Sequence, residues 1–187
     1  MRSDKIKTFM QLAGQAISNE FVEGDDKTRM LGAQLLLSEV LEYCVQGLGV
    51  EPEVNGVRIT KPNDLQYRIS DSVPVSKKEM LDGLADVAYT MYWNAEAFGI
   101  PLEEGFELVC DNNLEKFVEL DAAKFHPGAL ERDQWGCCNE VTWPAEVVNV
   151  TVVEVASKLY AVGTDASGKV RKPSTYQSVD LSRLLGV

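Results

Sequence analysis

Apolar residues recur at helical spacing from the start of the chain. Ile6, Phe9, Met10, Ala13 and Ile17 share one face and predict a short helix over 6–17. A turn follows at Glu23-Gly24-Asp25-Asp26, where either aspartate can cap the next helix. That helix, predicted over 27–47, is apolar nearly all round: Leu36, Leu37, Val40, Leu41, Cys44 and Val45 cover most of its circumference. Such a helix is expected to be buried on several sides, and Gly47 or Gly49 ends it. Residues 50–75 are polar and rich in turn formers, and a loop of that length is either functional or mobile.

Ser76-Lys77-Lys78-Glu79 has the form of a capping box, starting a helix that runs to Phe98 and breaks at Gly99. Pro101 then takes a first-turn position, with Glu103 and Glu104 favouring the dipole of a helix predicted to reach about Leu120. Beyond it the period changes. Residues 124–139 carry no clear period, while 147–155 is rich in β-branched residues and reads as a strand. Its hairpin partner is 158–163, across Ala156-Ser157, and Thr164 to Gly168 forms a turn. The pattern predicts a mainly α protein: a helical core over 1–120 and an appendage over 121–187 with a small β-hairpin and a basic C-terminal segment.

Charge narrows the partners. The 187 residues include 18 basic and 29 acidic side chains, a net charge of −11. That argues against nucleic-acid backbone binding and docking on an anionic membrane surface, both of which need a basic footprint. An acidic protein can still take a nucleotide if metal ions neutralise its phosphates. No apolar run is long enough to span a bilayer, and the N-terminus leads into an amphipathic stretch, so the expected location is cytoplasmic. Cys44 and Cys110 fall within predicted helices as small apolar side chains. Cys137-Cys138 lacks the gap of a zinc knuckle, and His126 is the lone histidine. The cysteines read as reduced thiols.

Four acids carry the chemistry. Glu39 and Glu42 lie on one narrow strip of the apolar helix with Leu35 and Gln46. A solvated stripe has the same spacing, but on a buried helix two adjacent carboxylates need a cation. On the next helix Asp82 and Asp86 share a face with Tyr89 and Trp93, while Met80, Leu84, Val87 and Met91 form the opposite, core-like face. Aspartate is a mediocre helix former, so two in the interior at this spacing require a reason. The aromatics fit either a base-stacking surface or subunit packing. Four carboxylates converging from two helices can hold Mg²⁺, a hard ion that prefers oxygen, and Mn²⁺ can substitute. Asn113 and Lys116, one turn apart, can meet a ligand or be bonded locally. Lys169, Arg171, Lys172 and Tyr176 form the densest basic cluster, fit to close over a triphosphate or to stay a solvated tail.

The order of these segments resembles the all-α nucleoside triphosphate pyrophosphohydrolases, the MazG-like and phosphoribosyl-ATP pyrophosphohydrolase-like group, especially its short phage and bacterial members. The resemblance runs through Phe9 to Gln15, Arg29, Ser38-Glu39-Val40-Leu41-Glu42, Asp82 to Tyr89, Ala97 to Ile100, Asn113 to Phe117, and Gly168 to Pro173 with Tyr176 and Asp180-Leu181. It covers roughly 5–120 and 165–185. It implies a helical bundle assembled across subunits of a homodimer or homotetramer. The implied reaction is Mg²⁺-dependent cleavage of a (d)NTP to the monophosphate and pyrophosphate. Glu39, Glu42, Asp82 and Asp86 would be metal ligands, with Glu39 or Glu42 orienting the water. Lys116, Lys169 and Lys172 would meet phosphates and Asn113 would position the nucleotide. Gln15, Trp93, Asn94 and Tyr176 would contact base or sugar. A base-selective enzyme for dUTP, dCTP or dGTP uses the same chemistry; an inactive nucleotide-binding regulatory protein uses the same scaffold. Two departures stand out: Ser38 replaces an expected glutamate, and Glu79 competes with Asp86 to complete the second motif around Asp82. Residues 121–164 lie outside the resemblance.

Overall fold

The computed structural model describes residues 3–186. They form two compact units, Glu20–Asp86 on the one hand and Met1–Asn19 with Val87–Val187 on the other.

The first unit is built on α2 (Asp26–Glu42). Asp25 caps it, its carboxylate accepting the Thr28 backbone N–H at 2.7 Å. The helix runs on to Gly47 as predicted, but its last turn, Tyr43–Gly47, is π-helical. Residues 50–75 are not wholly irregular. They hold a two-stranded hairpin, β1 (Glu53–Val54) with β2 (Val57–Arg58), and a 3₁₀ turn at Pro62–Asp64 that packs on α2. Helix α3 (Lys77–Phe98) begins as predicted, with the Ser76 hydroxyl accepting the Glu79 N–H at 3.3 Å. Gly99, at φ +65°, ends it: the Ile100 N–H turns back to the Ala95 carbonyl.

The second unit is organised by a sheet. Helix α4 (Leu102–Leu114) closes with three i→i+3 bonds, from Glu115, Lys116 and Phe117, instead of continuing to Leu120. Val118–Leu120 becomes β3, Gly128–Ala129 is β4, and the predicted hairpin is β5 (Asn149–Val155) with β6 (Lys158–Thr164). The order is β3-β6-β5-β4, all antiparallel, with Ala161 facing Val118 on one side and Val152 on the other.

This corrects the mainly α expectation. With 42% helix and 13% strand in two sheets, the chain is mixed α and β, and the hairpin is the centre of a four-stranded sheet, not an appendage. The physical reason lies in the strands themselves. β5 and β6 are apolar on both faces, so each face needs a cover. Leu12 of α1 (Ser3–Leu12), Phe9, Leu114 and Phe117 cover Val153, Val155 and Val162; Phe9 and Phe117 meet edge to face at 5.1 Å. On the other face Leu130, Trp135, Cys137, Val141, Trp143 and Val147 cover Val150 and Ala161, which are fully inaccessible. A short helix, α5 (Ser182–Leu185), ends the described chain.

Candidate functional site

The first unit holds all four candidate metal ligands. Glu39 and Glu42 are three residues apart on α2, and Asp82 and Asp86 four apart on α3; all four are exposed. Among the described residues, none of their carboxylates makes a hydrogen bond or ion pair. The two pairs do not form one cluster: among the described residues no group of three or more Asp, Glu, His or Cys is placed to hold a metal ion. Their surroundings are unusual. On α2 only Leu41 is buried, while Leu35 is 51% and Val40 43% exposed; on α3 Leu84 is 62% exposed. The prediction that α2 is buried on several sides is therefore not met within one chain. Ser38, half-buried, precedes Glu39.

The second unit brings together other candidates. On α3, Tyr89 and Trp93 are exposed, at 70% and 57%, and Asn94 donates to the Thr90 carbonyl at 2.8 Å. Just beyond α4, Lys116 donates to the Asn113 side-chain oxygen at 2.6 Å, with its ammonium 5.6 Å from the Phe9 ring centre. Asn113 also lines a small cavity of about 160 Å³ with Lys5, Ile6, Phe9 and Cys110. Lys5 bridges from α1 to Glu107 and Asp111 of α4 at 2.8 and 2.7 Å, and these hydrogen bonds, Asp111 first, raise its pKa. Gln15 is exposed just beyond α1.

The buried amide of α4 is Asn112, one residue from the predicted Asn113. It accepts the Tyr176 hydroxyl at 2.5 Å and donates to the Gln177 carbonyl at 2.6 Å and Glu115 at 3.3 Å. It thereby ties the basic C-terminal segment to α4. Lys172 lies 4.5 Å from the centre of the Tyr176 ring, within cation–π range. Lys169 is exposed, its backbone N–H donating to Asp165 at 3.0 Å. Asp165 organises this turn: it accepts from the Ser167 hydroxyl and N–H, and pairs with Arg171 through Nε at 2.8 Å and a second nitrogen at 2.6 Å. The Ser167 hydroxyl above all, then the Lys169 N–H and Arg171, hold the Asp165 carboxyl well below the ordinary carboxylate range, against a desolvation cost.

Lys116, Asn113, Lys172 and Tyr176 are thus held in defined positions on α4 and the segment anchored to it. Sequence reasoning missed Asn112 and Asp165. Asn112 is one step from the residue chosen and differs by 100° around the helix, so only the packing of Tyr176 distinguishes them. Asp165 could have been read as an Asx turn with Ser167. All four cysteines are free thiols: Cys110 and Cys137 are buried, Cys44 half-buried and Cys138 exposed. Compared with models of protein families, with curated proteins and with solved structures, the chain matches none.

Proposed function

We propose that the chain is a Mg²⁺-dependent nucleoside triphosphate pyrophosphohydrolase that works as a homodimer or homotetramer. The observation that carries this reading is α2. It presents two carboxylates that have no partner among the described residues, on a helix whose remaining faces are largely apolar and yet exposed in the single chain. Apolar faces of this extent call for a cover, and a second copy of the same helix supplies one. Covering the helix desolvates Glu39 and Glu42, which then need a cation.

The donor chemistry suits Mg²⁺. This ion is held by one or two carboxylates together with phosphate oxygens and water, so a pair such as Glu39 and Glu42, or Asp82 and Asp86, is a sufficient protein contribution. An ion held there would neutralise phosphate charge and make the attacking water more acidic. Glu39 or Glu42 takes the proton of the attacking water. The α–β phosphoanhydride bond breaks, pyrophosphate leaves, and the monophosphate gains the water oxygen. The resemblance would give Lys116, Lys169 and Lys172 phosphate contacts, and Asn113, Tyr176, Gln15 and Trp93 nucleoside contacts.

The test is a panel of dNTPs and NTPs with excess Mg²⁺, products resolved by chromatography. Equimolar monophosphate and pyrophosphate is the expected result, and Glu42→Ala and Asp86→Ala should each lose at least about 100-fold in rate with the helical circular dichroism intact. Nucleoside diphosphate with orthophosphate, or no turnover of any member, overturns the reaction assignment. Ser38 favours one second reading, a nucleotide-binding regulatory protein without catalysis. Calorimetric binding of a dNTP with no pyrophosphate release would select it.

A further inference from the structure

On the sheet face opposite α1 and α4, the segment that covers β5 and β6 encloses a cleft of about 330 Å³, lined chiefly by Arg132, Trp135, Val141, Trp143, Pro144 and Val147. We propose that this cleft binds a small planar molecule carrying one anionic group. The ring lies against the tryptophan-walled cleft and the anion meets Arg132. None of these residues belongs to the hydrolytic set, so the inference does not rest on that reading.

The walls determine the ring. Both indole N–H groups are already used: Trp135 donates to the Leu130 carbonyl and Trp143 to the Trp135 carbonyl, each at 3.0 Å. What the two rings offer a ligand is therefore apolar π surface and edge, which stacks on a planar ring without reading its polar groups. The volume is at the lower end of the range for small-molecule sites, about 300 Å³, and suits a body of one or two rings.

Arg132 determines the charge. Among the described residues it is the one cation lining the cleft, and its guanidinium carbon lies over the Trp135 ring, 4.8 Å from the centre. A guanidinium in cation–π contact with an indole still has N–H groups for bidentate contact with a carboxylate or phosphate. Lys5, Arg58, Lys158 and Arg171 are all engaged by carboxylates in this acidic protein; Arg132 makes no ion pair with a described residue.

The cleft is also fixed in shape. Gly163 has no side chain where Trp143 lies: a Cβ there would be 2.4 Å from the ring. Between the lining residues Gly136 and Val141 the chain makes a left-handed turn. Cys137, Cys138 and Asn139 all have positive φ (45°, 71° and 67°), and the Glu140 and Val141 N–H groups both return to the Gly136 carbonyl. Three consecutive left-handed L-residues are disfavoured, and strain of this kind is retained where the surroundings enforce a shape. A preformed wall lowers the ordering cost of binding.

Two sources share the required chemistry, a nucleoside monophosphate and an aromatic carboxylate. Saturation-transfer NMR on the full chain, in EDTA, with dAMP and indole-3-acetate as separate probes distinguishes them. Deoxyadenosine and indole serve as their uncharged counterparts. At least one anion should bind, about tenfold more tightly than its counterpart. Arg132→Gln should remove that difference, and Ala145→Phe, at a further lining residue, should fill the cleft and abolish transfer with the fold unchanged by circular dichroism. If Ala145→Phe does not fold, Arg132→Gln decides. No transfer from either anion at millimolar concentration, equal binding of charged and uncharged probes, or wild-type behaviour in Arg132→Gln overturns the proposal.

Discussion

Gly163→Ala is a one-carbon perturbation whose sign the packing decides. Gly163 sits within β6 opposite Val150, with a backbone that is not left-handed, so alanine meets no conformational barrier there. On propensity alone, replacing a strand glycine would stabilise by about 0.5–1 kcal/mol. The Trp143 ring opposes this, with the new methyl 2.4, 2.6 and 3.0 Å from three of its carbons. The ring cannot retreat freely, because its N–H is held by the Trp135 carbonyl at 3.0 Å. Overpacking of this kind costs about 1–3 kcal/mol, and losing the indole bond adds about 1 kcal/mol. The net expectation is destabilisation of about 1–3 kcal/mol. Urea unfolding followed by circular dichroism measures it, and the double variant with Trp143→Leu should recover most of the loss. An unchanged or raised midpoint in Gly163→Ala would refute the described seating of Trp143 on the sheet.

Three further outcomes follow from separate features. Asn112→Ala leaves the Tyr176 hydroxyl and Gln177 carbonyl without their partner, a cost of about 1–3 kcal/mol, and should speed limited tryptic cleavage at Arg183 about tenfold. The Asp165 carboxyl has a lowered pKa, so its stabilisation is complete above the ordinary carboxylate value of about 3.9 and fades as pH falls below it. Asp165→Asn should therefore lower the unfolding midpoint at neutral pH, with the gap from wild type narrowing in acid titrations followed by circular dichroism. Ala156 and Ser157 turn the β5–β6 hairpin at φ 51° and 64°, so replacing them with Asn-Gly should stabilise by about 1 kcal/mol in the same urea assay.

Some of this architecture was legible in the chain. The start of α3 at Ser76 and its end at Gly99 were, because capping and left-handed termination are local. The β5–β6 hairpin was also legible, since β-branched residues flank a two-residue turn. What was not legible depends on distant partners. β3 and β4 are three and two residues long, too short for a period, and exist only because β6 and β5 pair with them. The helix predicted to Leu120 therefore lost its last turns to the sheet. The cleft draws on Arg132, Trp135 and Trp143 in a stretch with no repeat, so nothing local announced it. The four acids could be read from their spacing, but spacing along a helix says nothing about how separate helices meet. In one chain α2 and α3 leave them as two exposed pairs.

The role proposed for those acids is hydrolysis of a nucleoside triphosphate. A ³¹P NMR time course of wild type and Glu42→Gln, each with the dNTP turned over fastest and excess Mg²⁺, tests it most directly. The triphosphate signals should give way to those of one monophosphate and one pyrophosphate per turnover, and Glu42→Gln should leave the triphosphate intact. Orthophosphate with a diphosphate, or a Glu42→Gln course equal to wild type, would contradict it.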